Sequence, residues 1–369
     1  MVRIATCICI DTDENDANIL YRGLSSKPLA SDVRRTIYWR LVTTFCCSSI
    51  RCNPNEDHYV YTNDPDEIII DRINIKKFLK KIGVKIIILP FQKFVPLPEH
   101  CKSFKNAFYK LEVIAKLGTN EDAASLLVDS DCLWHKYNEK LLSTINSDNY
   151  ILLRDTYEVN DYWIEQPHHI SRAGMGNVYS EINSNYPTPY PIWYGGEFIG
   201  GRGRNLQTIA RELIVLIDDL RARNLNPPMS KIRNLFDNEE YVSNFAYNKK
   251  LVNIYESKEF IKRIYTTGRD EPKMKDTAMQ ESTYNVTSQD FNIPIWHLPG
   301  EKQNGLQFIF QEAINPRSKF WKVPLNEFTT YLGRYVGIPE RRKDLAFKRM
   351  FSKAKNGVKK SLLLAGFTD

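Results

Sequence analysis

The sequence predicts an α/β protein in which a central, mainly parallel sheet is flanked by helices. Short apolar runs alternate with amphipathic segments through the first half of the chain, and glycines follow two of the amphipathic segments, where they tolerate the left-handed C-cap conformation. This rhythm of strand, helix and strand predicts parallel strands joined by crossover helices. Such sheets bind ligands at the carboxyl ends of their strands.

The first predicted elements are a strand, a helix and a second strand. The apolar run Ile4–Ile10 predicts the first strand, and helical periodicity begins at Ser31, the expected N-cap, and continues through Leu41. Tyr59–Tyr61 follows as a short strand and ends in the turn residues Asn63–Pro65.

The same rhythm continues toward a pair of acidic residues. An amphipathic helix over Ile73–Ile82 is expected to stop at Gly83 and to lead into a strand over Val84–Leu89. A second helix over Phe104–Leu117 is followed by the apolar run Leu126–Val128, which predicts the next buried strand.

The second half of the chain is expected to extend the same sheet and to close a cleft over it. Tyr150–Leu153 predicts one further strand. Beyond residue 160 a loop-rich aromatic stretch precedes a helix over Leu206–Leu220. No internal repeat or low-complexity linker separates the halves, so a detached second domain is not expected.

The composition is that of a folded protein whose positive charge is concentrated locally. Of the 369 residues, 42% are hydrophobic and 12% aromatic, which suffices for a substantial core and excludes a disordered chain. The net charge of +7 arises largely in the basic stretch Arg341–Lys360, where only Asp344 opposes the lysines and arginines. A general nucleic-acid-binding surface is therefore not expected.

The seven cysteines and the length of the apolar runs indicate the cellular compartment in which the protein is expected. The cysteines lack the spacing of a disulfide framework, which predicts reduced thiols. The N-terminus carries no apolar signal region, and no apolar run approaches the roughly 20 residues of a membrane span. We therefore expect a cytoplasmic protein, with residues 341–360 as a candidate peripheral contact to an anionic membrane surface.

Two carboxylates one residue apart follow the buried run Leu126–Val128. Asp129 and Asp131 can converge on one divalent ion if the backbone turns where the strand ends. Carboxylates suit Mg²⁺ or Mn²⁺, and the ion in turn neutralises a diphosphate. The structural alternative is a solvated acidic turn or a helix cap.

This order of elements, ending in Asp-x-Asp, is similar to that of the nucleotide-sugar glycosyltransferases of the A-type fold, GT-A. The resemblance implies a Rossmann-like central sheet and a Mn²⁺ or Mg²⁺ ion bound by Asp129 and Asp131 together with the donor phosphates. It further implies a catalytic domain over residues 1–310, with a nucleotide-binding half (1–158) and an acceptor half (159–310), followed by a basic helical extension over residues 311–369.

A glycine-rich segment, Tyr194–Gly201, resembles the Gly-Gly-Phe-Phe-Gly-Gly stretch of the blood-group-type retaining transferases. Glycines let a backbone approach a ligand closely, and the resemblance places Gly195 and Gly196 beside the donor sugar. The alternative is a glycine-rich turn.

A third segment, Gln280–Asn285, resembles the Asp-Glu-Ser-x-x-Asn segment of the same group, whose glutamate faces the reacting sugar carbon. The resemblance makes Glu281 the candidate catalytic carboxylate, which either stabilises positive charge at that carbon or attacks it. Gln280 stands where the group has an acid, and the alternative is the capped start of a surface helix.

A fourth segment, Trp296–Lys302, resembles the His-x-x-Gly-x-x-Lys motif of the glycogenin-like and lipopolysaccharide galactosyltransferase-like families. The resemblance implies that His297 is a third metal ligand and that Gly300 and Lys302 hold the phosphates. Lys302 arrives one residue earlier than in that motif. A packed core histidine is the alternative for His297.

Three further residues are predicted to bind the donor. Tyr61 and Asp64 follow an early strand where the family contacts the base and ribose, and Lys110 lies on the helix from which related enzymes reach the phosphates. A turn and a solvated helix face are the respective alternatives.

Together these motifs predict transfer of a sugar from a nucleoside diphosphate sugar, expected to be a UDP-sugar, to a hydroxyl of a glycan, lipid-linked or protein acceptor. Retention of the anomeric configuration is implied by the families that the last three segments resemble. Two other functions stay open. One is a haloacid-dehalogenase-like phosphatase, although Leu133 stands where that class has Thr or Val. The other is a non-enzymatic, basic membrane-surface module.

Overall fold

A seven-stranded sheet forms the centre of the computed structural model, which describes residues 1–10, 31–96, 105–155, 170–222, 239–264, 290–299 and 306–336. In chain order the elements are β1 (Arg3–Ile8), α1 (Ser31–Cys52), β2 (Asp57–Thr62), β3 (Ile69–Ile70), β4 (Ile73–Asn74), α2 (Ile75–Lys81), β5 (Lys85–Ile88), a 3-10 helix (Lys105–Phe108), α3 (Tyr109–Gly118), β6 (Ala124–Val128), β7 (Cys132–Trp134), α4 (Glu139–Ile145), β8 (Tyr150–Asp155), α5 (Arg172–Ile182), β9 (Tyr194–Arg202), α6 (Gly203–Ala222), α7 (Glu239–Asn248), β10 (Asn253–Glu256), β11 (Ile261–Arg263), a second 3-10 helix (Asp290–Asn292), β12 (Ile295–His297), α8 (Gln307–Ala313), α9 (Lys319–Lys322) and α10 (Leu325–Val336).

The strand order across this sheet is β5, β2, β1, β6, β9, β8, β10. The first four strands are mutually parallel, β9 is antiparallel to both β6 and β8, and β10 is parallel to β8. The predicted α/β fold, a central sheet flanked by helices, is therefore confirmed. As expected, strands from the second half of the chain, β9 and β10, join the same sheet.

Apolar side chains on alternate positions of β6 pack into two separate hydrophobic cores. Leu126 and Val128 belong to the core that also contains α1, α2 and α4, whereas Leu127 belongs to the core that contains α3, α5, α6 and α7. All five residues of β6 are buried. Burial on both faces explains why this strand reads as a continuous apolar run, as central parallel strands do.

A small second sheet begins directly after β6. It consists of β7, β12 and β11, with β12 antiparallel to β7 and parallel to β11. The chain therefore passes from the large sheet into the small one at the Asp-x-Asp segment. Because β12 comes from far along the chain, this sheet brings residues 290–299 to the carboxyl end of β6.

The described part of the C-terminal region is helical and packs on the core. Apolar residues of α8, α9 and α10 belong to the same core as α1. Residues 337–369, including the predicted basic membrane contact at 341–360, lie outside the described residues. Among the helices that are described, none is both long and apolar enough to span a membrane.

Two glycines allow α3 and α6 to pack closely. A Cβ atom at Gly118, which ends α3, would lie 2.8 Å from the backbone nitrogen of Gln207. A Cβ atom at Gly203, which begins α6, would lie 1.9 Å from the carbonyl oxygen of Asn120. A larger residue at either position would clash, because each glycine faces backbone atoms that cannot rotate away.

We predict that Gly203→Ala lowers the free energy of unfolding by roughly 1–3 kcal/mol, because the added methyl group collides with the Asn120 carbonyl. Gly333→Ala on α10 is the matched control. Its Cβ atom would meet only Phe291 and Trp296 at 3.9 Å, so the better helix propensity of alanine should leave stability unchanged or raise it by up to about 1 kcal/mol. Urea denaturation measures both, and equal effects would contradict the packing described.

Candidate active site

A tight turn at Asp129–Cys132 carries the chain from β6 into β7. The Cys132 amide donates to the Asp129 carbonyl at 3.1 Å, and the Asp129 amide donates to the Glu197 carbonyl on β9 at 3.0 Å. The turn places Asp129 and Asp131 at the carboxyl end of β6, where the sequence predicts them. Ligands bind at this edge in open α/β sheets.

Asp131 meets His297, which lies 166 positions further along the chain. His297 Nε2 lies 3.2 Å from Asp131 Oδ2, and the side chains are 5% and 0% exposed. The Leu298 amide donates to the Asp131 carbonyl at 3.0 Å and fixes β12 against the turn. Burial alone would lower the pKa of His297, but the adjacent Asp131 carboxylate, assisted by Glu197, raises it above its ordinary value.

Cys132 completes a group of three side chains suited to a metal ion. It pairs with His297 across β7 and β12. One ligand atom from each of Asp131, Cys132 and His297 lies within 4.8 Å of the other two. Among the described residues, this group is where carboxylate, thiol and imidazole converge. The predicted pairing of Asp131 with His297 is thus brought together, while Asp129 stands outside the group.

Asp129 instead contacts Lys110 on α3. Lys110 Nζ lies 2.7 Å from Asp129 Oδ1 and 3.8 Å from Glu239 Oε1 at the start of α7. Burial would lower the pKa of the Lys110 ammonium group, but the two carboxylates outweigh that effect and raise it. Burial, opposed by Lys110, raises the pKa of Glu239 to about 7. Lys110 is therefore a buried counter-ion at the site rather than part of a solvated helix face.

The glycine-rich segment forms β9, so the alternative of a glycine-rich turn is wrong. Lys110 Nζ donates to the Gly196 carbonyl, and a Cβ atom at Gly196 would lie 3.0 Å from Glu239 Oε1 and 3.2 Å from Lys110 Nζ. The Gly196 amide in turn donates to Glu240 Oε1 at 2.9 Å. Gly196 accommodates these charged side chains, and Gly195 is buried beside it on the strand.

Glu197 forms a second group of buried ion pairs close to His297. Its carboxylate, 1% exposed, accepts from Arg154 at 2.7 Å and from Arg263 at 2.8 Å. His297 Nδ1 lies 3.8 Å from Glu197 Oε1, an ion-pair distance longer than a hydrogen bond. Burial would raise the pKa of Glu197, but Arg263, His297 and Arg154 outweigh it and hold the pKa well below its ordinary value.

Two predicted donor-binding residues lie apart from this cluster. Tyr61 on β2 is packed in the core shared with α3, and burial raises its pKa to about 12. The Asp64 carboxylate accepts from Arg35 at 2.9 and 3.1 Å and from Trp39 at 2.8 Å. Lys76 Nζ lies 3.8 Å from it. Asp64 thus ties α1 and α2 to the end of β2, and donor binding by Tyr61 and Asp64 stays a prediction.

Three predicted residues lie outside the described residues: Glu281, Gly300 and Lys302. Sequence reasoning also missed three residues at the site, namely Cys132, Glu197 and Glu239. Two of them could have been predicted from the sequence, because Cys132 directly follows Asp131 and Glu197 interrupts the glycine-rich segment. A lone acid among glycines on a buried strand is the signal that could have found Glu197.

We predict that Glu197→Ala lowers the free energy of unfolding by about 3–5 kcal/mol, because it leaves two largely buried guanidinium groups without their counter-ion. Glu259→Ala is the matched control, since Glu259 pairs with Lys140 at 2.7 Å while 44% of its side chain is exposed. That loss should stay below about 1 kcal/mol. Chemical denaturation measures both variants, and a similar small loss for each would contradict the buried network.

No protein-family model matches the chain, and no curated protein matches it by sequence. Solved structures similar to the chain include several glycosyltransferases. They include the WbbM bifunctional glycosyltransferase (10% identity, TM-score 0.46, 87% of this chain and 50% of that one). They also include the galactosyltransferase LgtC in complex with donor and acceptor sugar analogs (12% identity, TM-score 0.43, 93% and 99%).

Mouse xyloside xylosyltransferase 1 is similar at 7% identity and a TM-score of 0.42, over 80% of this chain and 97% of that one. The chain spans half the length of WbbM. At 7–12% identity such likenesses concern the fold alone. The chemistry has to follow from the residues of the site.

Proposed function

We propose that the chain is a metal-dependent glycosyltransferase that moves a sugar from a nucleoside diphosphate sugar, a UDP-sugar, to an acceptor hydroxyl with retention. One observation carries the proposal: Asp131 and His297, remote in sequence, lie 3.2 Å apart at the carboxyl end of β6. Asp129, two positions before Asp131 in the same turn, pairs with Lys110 at 2.7 Å. A metal-ligand pair next to a fixed cation suits an anionic ligand such as a diphosphate.

The residues at the turn fit a divalent ion. Asp131 and His297 would hold it with Cys132, and Asp129, whose side chain is 22% exposed, is the more open of the two carboxylates. Mn²⁺ accepts the oxygen and nitrogen ligands that Asp131 and His297 offer, and Mg²⁺ is the harder alternative. When bound, the ion neutralises the diphosphate of the donor and so favours its departure.

Lys110 and Glu239 give the site a second polar face. The Lys110 ammonium group, held by Asp129 and Glu239, can donate to a phosphate oxygen or a sugar hydroxyl without losing both partners. Glu239 can accept from a sugar hydroxyl. The resemblance adds Gly300 and Lys302 as groups that would hold the phosphates.

Two carboxylates are candidates for the group that faces the reacting carbon. The resemblance favours Glu281, whereas the geometry favours Glu239, which lies beside Lys110 and Gly196. A carboxylate there stabilises the positive charge that develops at the anomeric carbon or attacks it. The acceptor is expected to be a glycan, a lipid-linked sugar or a protein, and contact with a membrane through residues 341–360 is part of this proposal.

The metal-ligand assignment predicts that Asp131→Asn lowers donor hydrolysis by roughly 100-fold or more, about 2.7 kcal/mol of transition-state stabilisation. Excess chelator should do the same to the unmodified protein. The control is Asp218→Asn, because the Asp218 side chain is 64% exposed. This variant should leave donor hydrolysis unchanged.

A panel of nucleotide sugars with Mn²⁺ serves as the assay, and release of the nucleoside diphosphate is the readout. Full activity of Asp131→Asn, or in chelator, would contradict the assignment. Release of inorganic phosphate from phosphate esters, without donor hydrolysis, would favour the phosphatase instead.

The catalytic carboxylate can be identified with Glu281→Gln and Glu239→Gln. Glutamine keeps the volume but removes the charge, so the variant at the true position should lose turnover by orders of magnitude while the donor dissociation constant changes little. Turnover and donor affinity are measured on both variants. Near-normal turnover in either eliminates that residue, and near-normal turnover in both would contradict the proposed role of a carboxylate.

A further inference from the structure

We propose that the Cys132 thiolate is a ligand of the metal site and gives it a preference for thiophilic divalent ions, the Zn²⁺, Cd²⁺ and Co²⁺ class, over Mg²⁺. The proposal rests on the metal site of the proposed function and names the ion class that the site selects. It starts from the position of Cys132, which no sequence motif assigns.

The register of the small sheet places Cys132 opposite His297. The two residues are Cα partners on the antiparallel strands β7 and β12. Residues directly opposite each other in an antiparallel pair project to the same face, with Cβ atoms about 4.5–5.5 Å apart. An imidazole and a thiol thus reach the same side of the sheet from neighbouring strands, and both are buried.

The turn supplies the third side chain. Asp131 directly precedes Cys132, and its Oδ2 lies 3.2 Å from His297 Nε2. Two ligands at about 2.0 Å from a tetrahedral ion lie about 3.3 Å from each other. The carboxylate and imidazole thus already have the separation that such an ion imposes. The thiol sulfur lies within 4.8 Å of both, so a small side-chain movement brings it into coordination.

Charge and burial favour this ligand set for a thiophilic ion. A carboxylate, a thiolate and a neutral imidazole together neutralise a divalent cation, which matters because the side chains of Asp131 and His297 are 0% and 5% exposed. Mg²⁺ prefers octahedral oxygen ligands, whereas this group offers one carboxylate beside a sulfur and a nitrogen. With three protein ligands, a bound ion would still be able to accept an oxygen of the diphosphate.

Titration of Co²⁺ into the purified, metal-free, full-length protein tests the proposal without reference to activity. A cobalt–thiolate bond gives an intense near-ultraviolet charge-transfer absorption, which oxygen and nitrogen ligands do not give. We expect this absorption to saturate at one equivalent. Cys132→Ser should abolish it and weaken Zn²⁺ binding roughly 10–100-fold or more, while Mg²⁺ affinity stays the same.

Cys7→Ser is the matched control, because the Cys7 thiol interacts electrostatically with Lys110 and Asp129 but does not belong to the group of Asp131, Cys132 and His297; this variant should keep the absorption. If the unmodified protein binds Co²⁺ at the site without thiolate absorption, the proposal is overturned while the metal site stands, a result that does not depend on any variant folding. If Cys7→Ser, and not Cys132→Ser, removes the absorption, the ligand assignment is wrong. If Asp131→Asn binds Co²⁺ and Zn²⁺ with unchanged affinity, the assignment of the metal site itself is wrong.

Discussion

The rest of the site depends on the buried ion pairs and the backbone hydrogen bond of Glu197. Its backbone carbonyl holds the Asp129 amide at the start of the turn, while its side chain pairs with Arg154 on β8 and Arg263 on β11. One residue of β9 thereby joins the large sheet to the small one. Because β12 is paired with β11, the same ion pairs hold His297 against Asp131. Truncating Glu197 would leave two arginines unpaired and loosen this junction.

The charges around the turn are the basis for the proposal that the site takes a metal-bound anion. Asp131 and His297 form a buried pair on one side, and Lys110 is held by Asp129 and Glu239 on the other. Fixed charges on largely buried side chains interact more strongly with a ligand than they would in water. The proposed donor, a nucleoside diphosphate sugar, combines phosphate anions with sugar hydroxyls, so it would use the proposed metal ligands and the Lys110–Glu239 pair together.

Local patterns in the sequence were enough to predict the parallel strands and the turn. An apolar run followed by Asp129 and Asp131 is contiguous, and the motif at His297 is short. The strand β9 was missed because its glycines favour a turn locally, and only pairing with β6 and β8 makes it a strand. The buried ion pairs of Glu197 could not be predicted, because the two arginines lie on two other strands. The contacts of Asp64 with Arg35 and Trp39 could not be predicted, because both partners come from a helix distant in sequence.

The most direct test of the account is a crystal structure of the protein with UDP and Mn²⁺, using anomalous scattering at the manganese edge to locate the ion. The account predicts one strong anomalous peak within coordination distance of Asp131 and His297, with the diphosphate bound to the ion and reaching toward Lys110. A nucleotide bound elsewhere on the chain, with no ion at the turn after β6, would contradict it.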